Sequence, residues 1–247
     1  MEEVATLPQT RWQGRDRAAT PFYAITPFTM LDFPGHTACI IWIAGCNMRC
    51  GYCHNPQIVL GKGTIREEEA MDFLGRRKGL LDGVVLSGGE ATSWPGLVGF
   101  AQEVKAMGFA LKLDTNGLRP DVVTQLLDRR LIDSIALDYK APRAKFRDVT
   151  GVTAWQRFSA TLDLLCAQGE IPFEVRTTVH DALMDEDDVL AITRDLKGRG
   201  YDGVHVLQIA VIDPDRPTLG ALPLQRRDWD LAVLQERAPL SLVLRQQ

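Results

Sequence analysis

Short apolar segments that alternate with longer amphipathic segments constrain the fold of this chain more than any other feature. Six of the short apolar segments are rich in Val, Ile and Leu. Apolar and polar residues do not strictly alternate in them, which is typical of strands covered on both faces. They lie at residues 37–45, 83–88, 109–115, 134–140, 173–179 and 203–211. Helical patterns lie between them, at residues 66–77, 96–107, 121–130, 155–168 and 185–199. Strands separated by helices predict a parallel sheet with right-handed crossovers.

The number of these units sets the expected architecture. Six βα units are fewer than the eight of a closed barrel, so the sequence predicts an α/β fold with a partial (β/α)6 barrel of the TIM type. The chain has 247 residues, of which 45% are hydrophobic and 24% charged, and this suffices for one large domain. We expect a poorly structured N-terminal arm at residues 1–25 and a single domain at residues 26–247.

Charge and cysteine content narrow the class of protein. A net charge of −4 argues against a broad basic surface for nucleic acid. The polar N-terminus lacks the apolar core of a signal peptide, and no segment has the length and hydrophobicity needed to cross a bilayer. Five cysteines, an odd number, without an export signal indicate a reducing compartment and metal binding rather than disulfides. We therefore expect a cytoplasmic protein without a nucleic-acid or membrane partner.

Polar residues follow the predicted strands where those strands end. CNMRC comes after the first strand, SGGE ends the second, DTNG ends the third and DYK ends the fourth, while Arg176 lies near the end of the fifth. In folds built from βα units the chemistry is found at the carboxyl ends of the strands. This placement predicts a site at one mouth of the barrel, independently of any motif.

One stretch, CNMRCGYCHNP, places Cys46, Cys50 and Cys53 in a C-x3-C-x2-C spacing. Thiolates suit iron–sulfur clusters, zinc or copper. A four-iron cluster held by three cysteines leaves one iron open to an outside ligand, whereas zinc with three thiolates and a water is the alternative. The other cysteines, Cys39 and Cys166, do not continue the pattern, and we interpret them as core residues.

This stretch resembles the cluster loop of radical S-adenosylmethionine (radical SAM) enzymes, in the group that activates glycyl radical enzymes. The resemblance implies that the three cysteines bind three irons of a 4Fe–4S cluster and that S-adenosylmethionine chelates the fourth. An electron from the cluster would then cleave the cofactor to a 5′-deoxyadenosyl radical. The resemblance also implies that Tyr52 lies against the adenine and that His54 lies in the cofactor site. Loop packing for Tyr52 and a turn cap for His54 are the alternatives.

The resemblance extends over roughly residues 28 to 215. LSGGEAT resembles the G-G-E strand end that takes the methionine ammonium in this family. There Gly88 and Gly89 would let the backbone approach a ligand closely, and Glu90 can accept hydrogen bonds from an amine. LDFPGHT resembles the D-G-P-G segment of the family, although Phe33 stands where a glycine is usual.

Two further strand ends, LDTNG and ALDYKAP, resemble those that carry an acid in the family. Asp114 and Asp138 suit ribose hydroxyls or a hard cation, and Lys140 can pair with the carboxylate of the cofactor. The guanidinium of Arg176 could hold a carboxylate as well. The alternative for these residues is a set of structural salt bridges among strand-end charges.

The sequence also departs from its relatives in two places. Activases of pyruvate formate-lyase carry a histidine near the end of strand six, where this chain has Gln208, and His205 lies too early to replace it. The ferredoxin-like cysteine insert of some activases is missing as well. We therefore expect one cluster only.

Among activases, the chain most resembles those of anaerobic ribonucleoside-triphosphate reductase. This implies a partner glycine as the site of hydrogen-atom removal and a flavodoxin or ferredoxin as electron donor. We expect LDFPGHT and the N-terminal arm to border the opening for the glycine loop, and we assign the stretch after Pro214 no role beyond covering the barrel end. The rival readings are an activase of another enzyme such as pyruvate formate-lyase, a small-molecule radical SAM enzyme, or a non-enzymatic metal-binding module.

Overall fold

One eight-stranded sheet dominates the computed structural model, which describes residues 20–226 and 228–245. Its strands are β1 Phe22–Thr29, β2 Ala38–Ile43, β3 Gly83–Gly88, β4 Ala110–Thr115, β5 Ser134–Asp138, β6 Phe173–Val179, β7 His205–Ile209 and β8 Leu242–Arg245. They are hydrogen-bonded in chain order. The first pair is antiparallel, and every later pair is parallel.

Helices connect the parallel strands. They are α1 Pro56–Leu60, α2 Glu67–Arg77, α3 Leu97–Ala106, α4 Pro120–Asp128, α5 Phe146–Thr150, α6 Trp155–Ala167, α7 Glu186–Gly198 and α8 Leu231–Arg237. Asp185 caps α7 in a capping box with Asp188, as the acidic start of that segment indicates. None of the described helices is long and apolar enough to cross a membrane.

The predicted strands and the five predicted helices are all present. Within the described residues the edge strands β1 and β8 do not pair with each other, so the sheet stays open. The prediction of a partial TIM-type barrel is therefore confirmed. The carboxyl ends of β2 to β7 lie at one edge of the sheet, where the polar strand ends of the sequence come together.

The two faces of the sheet are built differently, because successive side chains in a strand point in opposite directions. On the outer face, residues such as Ile41 and Leu111 are fully buried in one cluster with helix residues such as Leu74. On the inner face, Ile40 and Val85 form a smaller apolar cluster. The site described below is formed by polar inner-face residues, among them Lys112, Asp114, Asp138, Arg176 and Gln208.

The predicted boundary of the N-terminal arm, residue 25, is wrong, because Phe22–Thr29 forms β1. Phe22 is fully buried, and its ring lies 5.1 Å from that of Trp94. Pro27 hid this strand from the sequence pattern, since proline fits only an edge strand or a bulge, and the register with β2 shifts between Thr26 and Thr29. Residues 1–19 of the predicted arm lie outside the described residues.

Candidate active site

A cavity of about 680 Å³ lies inside the barrel. All of the predicted site residues line it: Cys46, Cys50, Tyr52, Cys53, His54, Gly88, Gly89, Glu90, Asp114, Asp138, Lys140 and Arg176. Alternate positions on β4 and β6 point into it, because side chains two residues apart in a strand share a face. The structure thus brings together residues that lie up to 130 positions apart in the chain, from Cys46 to Arg176.

The cysteine loop, residues 46–53, follows β2 directly and lies at the mouth of the cavity. Its three thiols are free, with Cys50 buried and Cys46 and Cys53 partly exposed. Burial, and next the nearby Glu90 carboxylate, raises the pKa of the Cys46 thiol to about 12. The Cys46 thiol would therefore release a proton on binding a metal, as metal-binding cysteines generally do.

The three thiols are not arranged around one point. In the described part of the chain, no group of three His, Cys, Asp or Glu side chains is placed to hold a single metal ion. A four-iron cluster bonds each thiol to a different iron, so this result concerns single-ion sites and not a cluster.

Gly88 and Gly89 pack against the start of the cysteine loop. A Cβ atom on Gly89 would lie 1.9 Å from the Gly45 carbonyl oxygen, and one on Gly88 would lie 2.3 Å from that of Ile43. The backbone N–H of Gly89 donates to the Ile43 carbonyl, and that of Glu90 donates to the Gly45 carbonyl. Glycine is thus required here by the neighbouring backbone, a reason that the sequence analysis missed.

Glu90 is almost fully buried, and its carboxylate accepts four hydrogen bonds. Oε1 accepts from the N–H and hydroxyl of Thr92 and from the hydroxyl of Thr115. Oε2 accepts from the N–H of Asn116 at 2.7 Å. Burial raises the pKa of the Glu90 carboxyl, although the hydrogen bonds oppose this. Oε1 thus accepts three of these hydrogen bonds and Oε2 accepts one, so among the described residues Oε2 is the oxygen with a free acceptor position.

Five alternating charges cross the inner face of β4, β5 and β6. We call them the charge ladder: Lys112, Asp114, Arg176, Asp138 and Lys140. Asp114 lies 3.3 Å from Lys112 Nζ and 3.4 Å from Arg176 Nη1. Asp138 lies 3.0 Å from Arg176 Nε and 3.0 Å from Lys140 Nζ. The strand-end charges therefore pair with one another, as the structural alternative in the sequence analysis required.

Three members of the ladder, Asp138, Lys140 and Arg176, keep each other ionised. Burial by itself would raise the pKa of Asp138, but the charges of Arg176 and Lys140 outweigh it and hold this pKa below its usual range. Burial would likewise lower the pKa of Lys140, yet Asp138 raises it well above its ordinary value. The result is a set of fixed charges that face the cavity at neutral pH.

Tyr52 and His54 lie on the cavity side of the cysteine loop. The Lys140 ammonium lies 5.9 Å from the centre of the Tyr52 ring, within the range of a cation–π contact. The Tyr52 hydroxyl is buried and has no hydrogen-bond partner among the described residues. Nε2 of His54 lies 3.3 Å from the side-chain amide nitrogen of Asn55, which precedes α1.

Sequence reasoning missed several residues of the cavity. Lys112 and Asn116 are both buried and line it. Lys112 Nζ donates to the Asp32 carbonyl at 2.6 Å, and Asn116 Nδ2 donates to Asn47 Oδ1 at 2.7 Å. A charged residue inside the apolar run FALKLDT was the available signal for Lys112. Gln208 also lines the cavity.

His205 belongs to the core and not to the cavity. It is fully buried on the outer face of β7, and its Nε2 lies 2.8 Å from the Thr177 hydroxyl. This agrees with the expectation that His205 does not replace the missing histidine of relatives. Cys39 is fully buried in β2, and Cys166 is partly buried against the core, which confirms both as core residues.

LDFPGHT lies at the opposite end of the sheet from the cysteine loop. The Thr37 N–H and hydroxyl donate to the Asp82 carboxylate just before β3 begins. Leu31, Asp32 and Pro34 nevertheless line the cavity, so it extends through the depth of the barrel. Phe33 packs on the inner-face apolar cluster and closes the floor there.

These residues fit a three-thiol cluster with a zwitterionic ligand on it. Three free thiols, the Tyr52 hydroxyl, which is unpartnered within residues 20–226 and 228–245, and an acceptor position on Glu90 face the same space. Ammonium groups and guanidinium groups complement a carboxylate, and the aspartates complement hydroxyls.

The sequence of the chain is similar to those of known radical SAM proteins and activating enzymes. The sequence profile of the radical SAM superfamily matches residues 40–194. A protein of Methanocaldococcus jannaschii assigned to the glycyl-radical enzyme activating enzymes is 33% identical over 183 residues, which is 70% of this chain and 74% of that protein. The pyruvate formate-lyase-activating enzyme of Clostridium pasteurianum is 30% identical over 125 residues, 48% of this chain and 51% of that enzyme.

Among solved structures, SuiB of Streptococcus suis, crystallised with S-adenosylmethionine, superposes with a TM-score of 0.60. It is 14% identical, over 81% of this chain and 48% of SuiB. At this identity the superposition establishes the fold alone. The chain spans about half the length of SuiB and of the Clostridium enzyme, and about three quarters of the archaeal protein.

Proposed function

The chain belongs to the radical SAM superfamily and to its glycyl-radical enzyme activating family, and on that premise we propose that it activates a glycyl radical enzyme. One observation carries the proposal: the three cysteines, the Gly-Gly-Glu strand end and the strand-end residues Asp114, Asp138 and Lys140, which follow the motif order of this family, line a single cavity. We further propose that one domain runs from β1 to β8.

The cofactors of this family are a 4Fe–4S cluster and S-adenosylmethionine. When bound, they supply the electron and the carbon radical that remove a hydrogen atom from a partner glycine. In this proposal Cys46, Cys50 and Cys53 hold the cluster at the mouth of the cavity. The chain needs no general base for such a reaction; its residues bind, orient and exclude water.

The polar residues of the cavity have distinct proposed roles. Glu90 Oε2 accepts a hydrogen bond from the ammonium of the cofactor, because that oxygen has an acceptor position left. Lys140 and Arg176 attract its carboxylate, while Asp114 and Asp138 accept from ribose hydroxyls or bind a hard cation. Gly88 and Gly89 keep the cysteine loop close to β3, and Tyr52 and His54 flank the adenine.

The partner we propose is anaerobic ribonucleoside-triphosphate reductase, in the cytoplasm, with a flavodoxin or ferredoxin as electron donor. The relatives that activate glycyl radical enzymes support a protein as the substrate.

The test uses anaerobic protein reconstituted with iron and sulfide, reduced with dithionite and given S-adenosylmethionine. We expect 5′-deoxyadenosine from the parent and none from Cys50→Ala, measured by chromatography. The reductase and pyruvate formate-lyase are then added separately, and electron paramagnetic resonance detects a glycyl radical in the reductase alone. A glycyl radical in pyruvate formate-lyase instead would reassign the partner. An intact reduced cluster without deoxyadenosine would contradict the enzymatic function.

A further inference from the structure

A segment near the C-terminus lies directly on the cysteine loop. We call residues 218–226 the C-terminal strap. The N–H of Leu219 donates to the Cys53 carbonyl at 2.8 Å, and the N–H of Gly220 donates to the Gly51 carbonyl at 2.9 Å. A Cβ atom on Gly220 would lie 2.8 Å from Gly51 Cα. The strap therefore contacts the loop backbone between two of its cysteines, with no room for a side chain.

The other side of the loop is held by the end of α5. The N–H of Arg49 donates to the Thr150 carbonyl at 2.8 Å, and the N–H of Gly51 donates to the Val149 carbonyl at 3.3 Å. Gly51 is thus hydrogen-bonded on one side to α5 and on the other to Gly220. Because the cysteine loop contains no helix or strand of its own, these outside contacts fix its backbone.

The strap is itself anchored away from the loop. Ala182 N–H donates to Nδ1 of the fully buried His180, so the proton of this imidazole is on Nε2, which donates to the Pro223 carbonyl at 2.9 Å. The Arg226 N–H donates to the Asp181 carboxylate at 2.7 Å. The strap therefore joins the loop that follows β6 to the cysteine loop.

We propose that the C-terminal strap is a positioning device that holds the cysteine loop in its ligand-binding conformation, with Gly220 as its contact point. This inference rests on the proposed function, since it assigns a role toward the same cluster. Ligands bind a metal centre tightly when their neighbours fix them in place, and loss of such neighbours typically costs about 10–100-fold in affinity. The strap would supply that support to Cys50 and Cys53.

The test compares two exposed glycines that differ in this contact. Gly220→Ala places a methyl group against Gly51, whereas a Cβ atom on Gly169 meets nothing within 4 Å. On the full chain reconstituted with iron and sulfide, we expect Gly220→Ala to lose iron to a chelator about tenfold faster than Gly169→Ala. Trypsin cleavage after Arg49 in the full chain, before and after reconstitution, should also increase for Gly220→Ala only. Equal thermal midpoints of the two variants would show that the effect is local.

A second variant removes a different contact between the strap and the cysteine loop, so that the conclusion does not depend on the folding of one variant. Leu219→Pro removes the N–H that donates to Cys53 and should shorten iron retention in the same way. If Gly220→Ala and Leu219→Pro match Gly169→Ala in both iron loss and trypsin cleavage, the strap has no positioning role. Neither readout uses S-adenosylmethionine or a partner enzyme. Failure of the parent chain to form a four-iron cluster would instead contradict the proposed function.

Discussion

The cysteine loop and the charge ladder face the same cavity, but they differ in what satisfies their side chains. Each acid of the ladder contacts two cations at 3.0–3.4 Å. In the part of the chain that the structure describes, the thiols of the loop have only weak contacts, such as the Met48 N–H at 3.4 Å from Cys46 Sγ. The three weakly contacted thiols of the loop therefore fit a metal centre, whereas the ladder could serve the fold alone. The structure therefore indicates a ligand-binding role for the loop, and unfolding measurements test whether the ladder has a structural role.

The largest expected effect is on the loop side of this comparison. Cys53→Ala should abolish cluster binding, because a three-cysteine cluster has no spare protein ligand. Iron and sulfide content after anaerobic reconstitution and desalting measures this. Cys166→Ala, in α6, is the matched control and should retain the parent iron content. Equal iron in both variants would remove the cysteine loop from the metal site.

On the ladder side, Arg176→Met should lower the free energy of unfolding by about 3–5 kcal/mol, since it leaves Asp114 and Asp138 buried without their shared partner. Urea unfolding of the cluster-free chain measures this. The control is Arg245→Met, because Arg245 pairs with Glu174 but its side chain is 44% exposed. A loss below about 1 kcal/mol is expected there. Equal losses would mean that the ladder does not act as a unit.

Lowering the pH should test the contribution of His205, which lies on the outer face of the sheet behind the charge ladder, to the free energy of unfolding. Burial lowers the pKa of His205 from 6.5 to about 3, so the folded chain excludes a proton that the unfolded chain binds below pH 6.5. The free energy of unfolding should therefore fall as the pH falls from 6.5 towards 3, by up to about 1.4 kcal/mol per pH unit.

The contribution of the ladder acid Asp138 to the free energy of unfolding changes in a lower pH range than that of His205. Its pKa is lowered below 3.8, so its contribution is present above pH 3.8 and is lost only at lower pH. Urea unfolding between pH 6.5 and 4 should accordingly show a shallower pH dependence for His205→Gln than for the parent. An unchanged slope would mean that His205 is not the group that takes up the proton.

The smallest expected effect is at Tyr52. Tyr52→Phe removes a buried hydroxyl that has no hydrogen-bond partner among the described residues, so the free energy of unfolding should not fall and the iron content should stay the same. The control is Tyr139→Phe, which removes a hydrogen bond of 2.8 Å to Asp195 and should cost about 1.5 kcal/mol or more. A comparable loss at Tyr52 would show that its hydroxyl already has a structural role.

Prediction from sequence succeeded where local rules apply. The long helices and the parallel strands followed from apolar periodicity, and the strand-end rule gathered Glu90, Asp114, Asp138 and Arg176 into one site. It failed where a segment is short or non-local. β8 has four residues and α5 has five, too few for a pattern. β1 contains a proline and pairs antiparallel at the edge, so its sequence resembles a loop.

The sequence by itself determined that this chain forms a βα barrel with a three-cysteine loop at its mouth, because periodicity, turn residues and motif spacing act over a few residues. Only the tertiary structure decided which charges pair, that Gly88 and Gly89 support the loop, and that the C-terminal strap lies on Gly51. Those contacts depend on distances between segments far apart in the chain. Backbone hydrogen bonds such as that from Gly220 to Gly51 carry no side-chain signature at all.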